Sequence, residues 1–161
     1  MHIPNEIKKK KQWSYSYSKD DLKRPTHSDY KPNGGLSYTQ AKTKAGKTKL
    51  MGFYVTEEDP YVLLDIDHVE NPSNPFAELP ISLAALLQEH NTYSEISPSG
   101  EGLRVIYKLP TKDEKEKLDG SIFYLQDSDA DSKRNAQINF GRPWMTITGN
   151  ATPYAIDEVS I

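Results

Sequence analysis

Residues 61–66 (YVLLDI) form an apolar run with almost no polar interruption, and the run ends on two carboxylates, Asp65 and Asp67. A strand with one solvated face alternates apolar and polar side chains. One covered on both faces reads as a continuous apolar stretch instead. The chain must therefore build a core around this strand, and 161 residues are enough to do so without a disulfide or zinc staple. Residues 50–56 (LMGFYVT) read as a second strand, with Glu57-Glu58-Asp59-Pro60 as the turn of a hairpin between the two. Positions i and i+2 of a strand share a face, so Asp65 and Asp67 converge. Two carboxylates at the end of so apolar a strand are costly unless something compensates. A hard divalent cation, Mg2+ or Mn2+, takes oxygen ligands and would do so. Asp-x-Asp pairs also occur at Asp127, Asp129 and Asp131, but in a polar loop, so placement is what distinguishes Asp65 and Asp67.

The rest of the chain mixes strands and helices without regular alternation. Residues 2–13 read as a short helix capped by Asn5, with Ile7, Gln12 and Trp13 inward. Pro25, Pro32 and Asn33-Gly34-Gly35 mark turns in a loop-rich stretch over 14–50. Residues 70–80 are a proline-punctuated loop, and Pro80 opens a helix over 80–90. Strands are expected at 93–97 and 103–108. Thr111-Lys112-Asp113-Glu114 matches a capping box for a helix that Gly120 ends. Residues 121–125, 136–140 and 144–148 are strand-like, with a polar loop over 126–135. The expected class is α+β, a single domain over 1–161.

Net charge divides unevenly. Residues 1–50 hold 12 Lys and Arg against 4 Asp and Glu, a surplus of +8, and residues 51–161 hold 8 against 19, a deficit of −11. Trp13, Tyr15, Tyr17, Tyr30 and Tyr38 are interleaved with the bases. Rings that stack on bases among cations that track phosphates suit single-stranded nucleic acid. The alternative is a solvated lysine-rich surface whose rings pack on the body. The absence of cysteine removes disulfides, thiolate metal sites and thiol catalysis. No apolar run approaches the ~20 residues of a membrane span, and no signal peptide is evident, so a soluble protein of the host-cell cytoplasm with no membrane partner is expected.

Ser97-Pro98-Ser99-Gly100-Glu101-Gly102-Leu103-Arg104 offers a second feature. Its glycines and serines let backbone N–H groups approach an anion, and Arg104 can grip a phosphate. Taken alone, the segment reads more readily as an ordinary hairpin turn between the strands at 93–97 and 103–108. Gly46-Lys47-Thr48 is not a nucleotide-binding phosphate loop, because Ala41 stands where the earlier glycine is required. His68 follows the acid pair and is read as a strand-end cap or a locally packed residue in preference to a group supporting the two aspartates.

Taken in order, Trp13, Lys23-Arg24-Pro25, Gly52-Phe53, Asp59-Pro60, Asp65-Ile66-Asp67-His68, residues 93–103, Gly141-Arg142 and residues 145–149 (MTITG) resemble the primase-polymerase domain of phage and plasmid replication proteins, within the archaeo-eukaryotic primase superfamily. That resemblance implies a primase-like α+β core, with a mixed or antiparallel sheet flanked by helices. The domain would form the N-terminal part of a longer replication protein. It implies metal-dependent nucleotidyl transfer in DNA replication, with Asp65 and Asp67 as catalytic metal ligands. It also implies that Ser97, Ser99, Gly100, Gly102, Arg104 and Arg142 contact nucleotide phosphates. Arg104 stands where the family has histidine, and it keeps the positive charge. Counting back from 145–149 puts the family's third acid at Ala136 or Gln137. Counting forward from Gly120-Ser121 puts it near Tyr124. None is a carboxylate, and Asp127 is the nearest acid that can substitute. Gln137 therefore marks a degenerate third-acid position, leaving one Mg2+ or Mn2+ ion or none. The implied function is a catalytically impaired mobile-element primase-polymerase that binds single-stranded DNA or nucleotide. The alternatives are a working DNA primase-polymerase and a non-catalytic docking module for a replicative helicase.

Overall fold

The computed structural model describes residues 3–26, 35–67, 92–109, 111–118, 122–125, 136–140, 143–152 and 159, with backbone only at 118, 122–125 and 136–140. The expected loop over 70–80, the helix over 80–90, the loop over 126–135, His68, Asp127, Gly141 and Arg142 lie outside these residues. The described elements are α1 (Asn5–Lys8), β1 (Trp13–Ser18), β2 (Asp21–Pro25), α2 (Tyr38–Ala45), β3 (Met51–Tyr54), β4 (Tyr61–Asp67), β5 (Ser94–Ile96), β6 (Leu103–Lys108), α3 (Lys112–Leu118), β7 (Ile122–Leu125), β8 (Ala136–Phe140) and β9 (Trp144–Thr146). The strands make two sheets, ordered β2-β1-β3-β9 and β5-β6-β4-β8-β7, and every pairing between them is antiparallel. The α+β class expected from the sequence holds, in its antiparallel form.

β4 is the interior strand that its composition demands. β6 and β8 take its two edges. Val62, Leu64 and Ile66 are buried on one face, and Tyr61 and Leu63 on the other. Tyr61 and Leu63 join Trp13, Phe53, Tyr93, Ile106 and Met145 in the main core. There Trp13 and Tyr61 each meet Phe53 edge-on, at 5.3 and 6.0 Å between ring centres. Such offset contacts are favoured by the ring quadrupoles.

The hairpin expected from residues 50–66 does not form. β3 and β4 belong to different sheets. With both edges of β4 filled, β3 has no edge to take, and Glu57–Pro60 becomes a corner between sheets. The Asp59 carboxylate accepts from the Thr56 amide (2.8 Å), the Thr56 hydroxyl (3.0 Å) and Gln12 Nε2 (2.5 Å). Across the corner Lys115 Nζ donates to the carbonyls of Thr56 (2.5 Å) and Asp59 (2.9 Å).

The N-terminal segment also differs from expectation. Only one helical turn forms, Pro4 stands at its cap, and Asn5 is its first helical residue. Four consecutive lysines from Lys8 offer no apolar face to continue a helix. Ile7 is fully buried, and Trp13, which opens β1, donates its indole N–H to the Ile7 carbonyl at 3.0 Å. The basic stretch over 14–50 holds β1, β2 and α2 rather than loops alone. Trp13, Ser14 and Tyr15 pair with Phe53, Gly52 and Met51. A reciprocal capping box starts α2, with Gln40 N donating to Ser37 Oγ (3.2 Å) and Ser37 N donating to Gln40 Oε1 (2.9 Å).

Candidate functional site

Along β4 the face that carries Tyr61 and Leu63 continues, two and four residues on, as Asp65 and Asp67. The core therefore gives way to carboxylates on a single strand face. Asp65 is buried and Asp67 half-buried, and both line a cavity of about 370 Å³. Ser97, Ser99 and Arg104 line the same cavity, so five of the predicted site residues meet there. Trp144 and Met145 of β9 form an apolar side, with Thr146 beside them. Lys23 from β2, which sequence reasoning did not place in the site, also lines it.

The 97–102 segment forms the expected hairpin turn between β5 and β6. Gly100 N donates to the Ser97 carbonyl and Ser97 N to the Gly102 carbonyl, both at 2.9 Å. Pro98 sits second in the turn, where its fixed φ fits. Gly100 has φ of 79°, the left-handed conformation that glycine adopts without steric cost. Gly102 is glycine for another reason. A Cβ there would stand 2.6 Å from the Ile66 carbonyl oxygen. The turn is thus seated directly on the β4 backbone between the two aspartates. Ser97 Oγ and Ser99 Oγ are 3.1 Å apart at its mouth.

Register aligns three charged residues in one row across the second sheet. Arg104 pairs with Asp65 on one side and with Glu95 on the other. Arg104 Nε lies 3.7 Å from Asp65 Oδ1. Its Nη1 donates to the Thr146 carbonyl at 2.7 Å and to the Thr146 hydroxyl. Glu95 is fully buried. It accepts from the Tyr93 hydroxyl (2.7 Å) and the Gly149 amide (3.0 Å), and both its oxygens accept from the Thr148 amide (3.1 Å each). Burial raises the Glu95 carboxyl above its ordinary value, against the opposing pull of those donors and of the Arg104 charge. Glu95 and Arg104 together tie residues 146–149 to the second sheet. Neither role is visible without the pairing register.

The positions that the two counts along the sequence pick out are neighbours in register. Asp67 pairs with Gln137, and Gln137 pairs with Tyr124. Among the described residues no three acidic or histidine side chains gather to hold a metal ion. The donors present are two carboxylates of one strand, with a guanidinium beside them. Among the described residues, that set suits one hard cation rather than a two-ion centre, which needs further anionic ligands between the ions.

The interleaved aromatics divide by burial. Trp13 is fully buried in the core, with Tyr38 edge-on to it at 5.1 Å. Tyr15 lies beneath Lys49 Nζ, and the exposed Tyr17 beneath the Arg24 guanidinium at 4.2 Å. Tyr30 lies outside the described residues. Among the described residues no helix is long and apolar enough to cross a membrane.

No family model matches the chain. The chain is 32% identical over 147 residues to the DNA Primase-polymerase of Nitratiruptor phage NrS-1, a match that covers 88% of this chain and 18% of that relative. The chain thus spans less than a fifth of the relative's length. The likeness to phage replication proteins read from the motifs and this match agree.

Proposed function

We propose, from the premise that the chain resembles part of a phage DNA primase-polymerase, that it is a primase-polymerase-like domain of a mobile-element DNA replication protein. In this reading it has an archaeo-eukaryotic primase core, binds nucleotide and single-stranded DNA, and has a degenerate catalytic centre. The observation that carries the reading is the meeting of Asp65 and Asp67 with the Ser97–Arg104 turn in one cavity, while glutamine stands across from Asp67. Ser97, Ser99 and Lys23 are donors suited to phosphate oxygens, and the Trp144 side offers apolar surface to a base. Asp65 and Asp67 would hold a single Mg2+ or Mn2+ ion, which would supply positive charge to offset a bound phosphate. A neutral Gln137 adds no charge to hold a second.

Three measurements on the purified chain test this. A labelled deoxynucleotide titration should show saturable binding. Single-stranded DNA should bind with an affinity that falls steeply with salt. Primer extension and primer synthesis with Mg2+ or Mn2+ should yield no product. Metal-dependent incorporation abolished by Asp65→Ala would overturn the degenerate centre and favour a working enzyme. Failure to bind either nucleotide or DNA at physiological salt would overturn the reading in favour of a helicase-docking module.

A further inference from the structure

The cavity wall carries two carboxylates and two cations, Asp65 and Asp67 from β4 against Arg104 from β6 and Lys23 from β2. Its formal charge is zero as built. The two cations enter from different sheets, so this balance belongs to the tertiary fold rather than to one local motif.

Arg104 is held in place rather than loosely present. It stands directly opposite Asp65 in the β4–β6 pairing, with Nε 3.7 Å from Oδ1, and both side chains are largely buried. Two acceptors on Thr146 fix its far end. The buried Glu95 flanks it in the same row. A guanidinium that close to a largely buried carboxylate already supplies the compensation that Asp65 needs. A divalent ion approaching the same carboxylate meets that positive charge at short range, with Lys23 adding to it from the facing sheet.

We infer that Arg104, aided by Lys23, is the resident counter-cation of this cavity, and that its pairing with Asp65 competes with divalent metal at the Asp65–Asp67 pair. The inference rests on the reading of those two aspartates as the metal-facing pair. It adds that the weakness of the site for metal comes from cations the fold supplies, as well as from an acid it lacks.

Mn2+ alone is the probe, titrated against the full chain and read by electron paramagnetic resonance of the free ion. Arg104→Gln should tighten Mn2+ binding about tenfold, and Lys23→Gln about threefold. Lys23 is exposed on β2, so its substitution leaves the core untouched and decides the matter if Arg104→Gln does not fold. Adding Asp67→Asn to either variant should remove the gain. Affinity that is unchanged or weaker in the variants overturns the inference. So does a gain that survives Asp67→Asn, since the ion would then sit elsewhere. The titration contains neither nucleotide nor DNA, so its outcome is independent of whether the domain binds them.

Discussion

Gln137 lies directly across from Asp67 in the β4–β8 pairing, and Tyr124 lies directly across from Gln137 in the β7–β8 pairing. The two counts along the sequence, forward from residue 120 and back from residue 149, therefore arrive at adjacent positions in one row of the sheet. On the proposed reading, a charge placed there should add affinity for a divalent ion. Gln137→Glu is expected to strengthen Mn2+ binding by about tenfold, by the strength of a carboxylate ligand added at short range. The same manganese titration measures it, and an unchanged affinity would remove position 137 from the ion's surroundings.

The two turn glycines should respond differently to alanine. At Gly102 the added Cβ meets a backbone carbonyl of the central strand, which has no room to yield. Gly102→Ala should destabilise by about 3 kcal/mol and displace the turn from the aspartates. At Gly100 the space is open and only the positive φ resists, so Gly100→Ala should be destabilising by about 1 kcal/mol. Urea denaturation of both variants checks the order. Equal effects would show that the seating of Gly102 on Ile66 is not a tight contact.

Glu95 should make stability depend on pH in one direction. Burial raises its folded-state carboxyl above the unfolded value. The stability it contributes is therefore complete below the unfolded value and is lost as pH rises through the raised one. Glu95→Gln removes this titration, so the advantage of the native chain over that variant should be greatest in acid and shrink toward neutral pH. Glu95→Ala should cost about 3 kcal/mol or more, because it strips the buried Gly149 amide and the Tyr93 hydroxyl of their acceptor. Denaturant unfolding across the pH range measures both.

Glu6 should act with the opposite sign. Its partial burial alone would raise the carboxyl. Lys108 Nζ at 2.5 Å and the Tyr61 hydroxyl at 2.8 Å outweigh that and hold it below the ordinary value. Its contribution is present above the unfolded value and is lost as pH falls through the lowered one. Lys108→Met should lower stability at neutral pH by the modest amount of a partly exposed pair and leave it unchanged in acid, so that the acid limb of the stability profile flattens. An acid limb as steep as in the native chain would count against the pairing.

The strands were legible wherever the sequence carries an apolar run, as at 61–66, 103–108 and 136–140. Their partners were less so. Glu57–Pro60 has the length and composition of a hairpin turn, and only the distant Gln12 and Lys115 make it a corner between sheets. α2 escapes periodicity because only Ala41 and Ala45 of its eight residues are buried, although Ser37 and Gln40 mark its start. In the site, Asp65, Asp67, Ser97, Ser99 and Arg104 share a motif-level signal. Lys23 and Glu95 lie in stretches that carry the family resemblance, but their places beside the site follow from strand register and the meeting of two sheets rather than from local spacing.

β4 is hydrogen-bonded along both edges, and its residues 61–66 are buried on both faces. Backbone amides in such a strand exchange with solvent only through the largest openings of a molecule. Asp65 and Asp67 thus ride on the segment expected to be last to open on warming. Ligand recognition by this pair should persist through fraying of the edge strand β2 and disappear together with the global transition, so that binding and folding fail at one temperature rather than two.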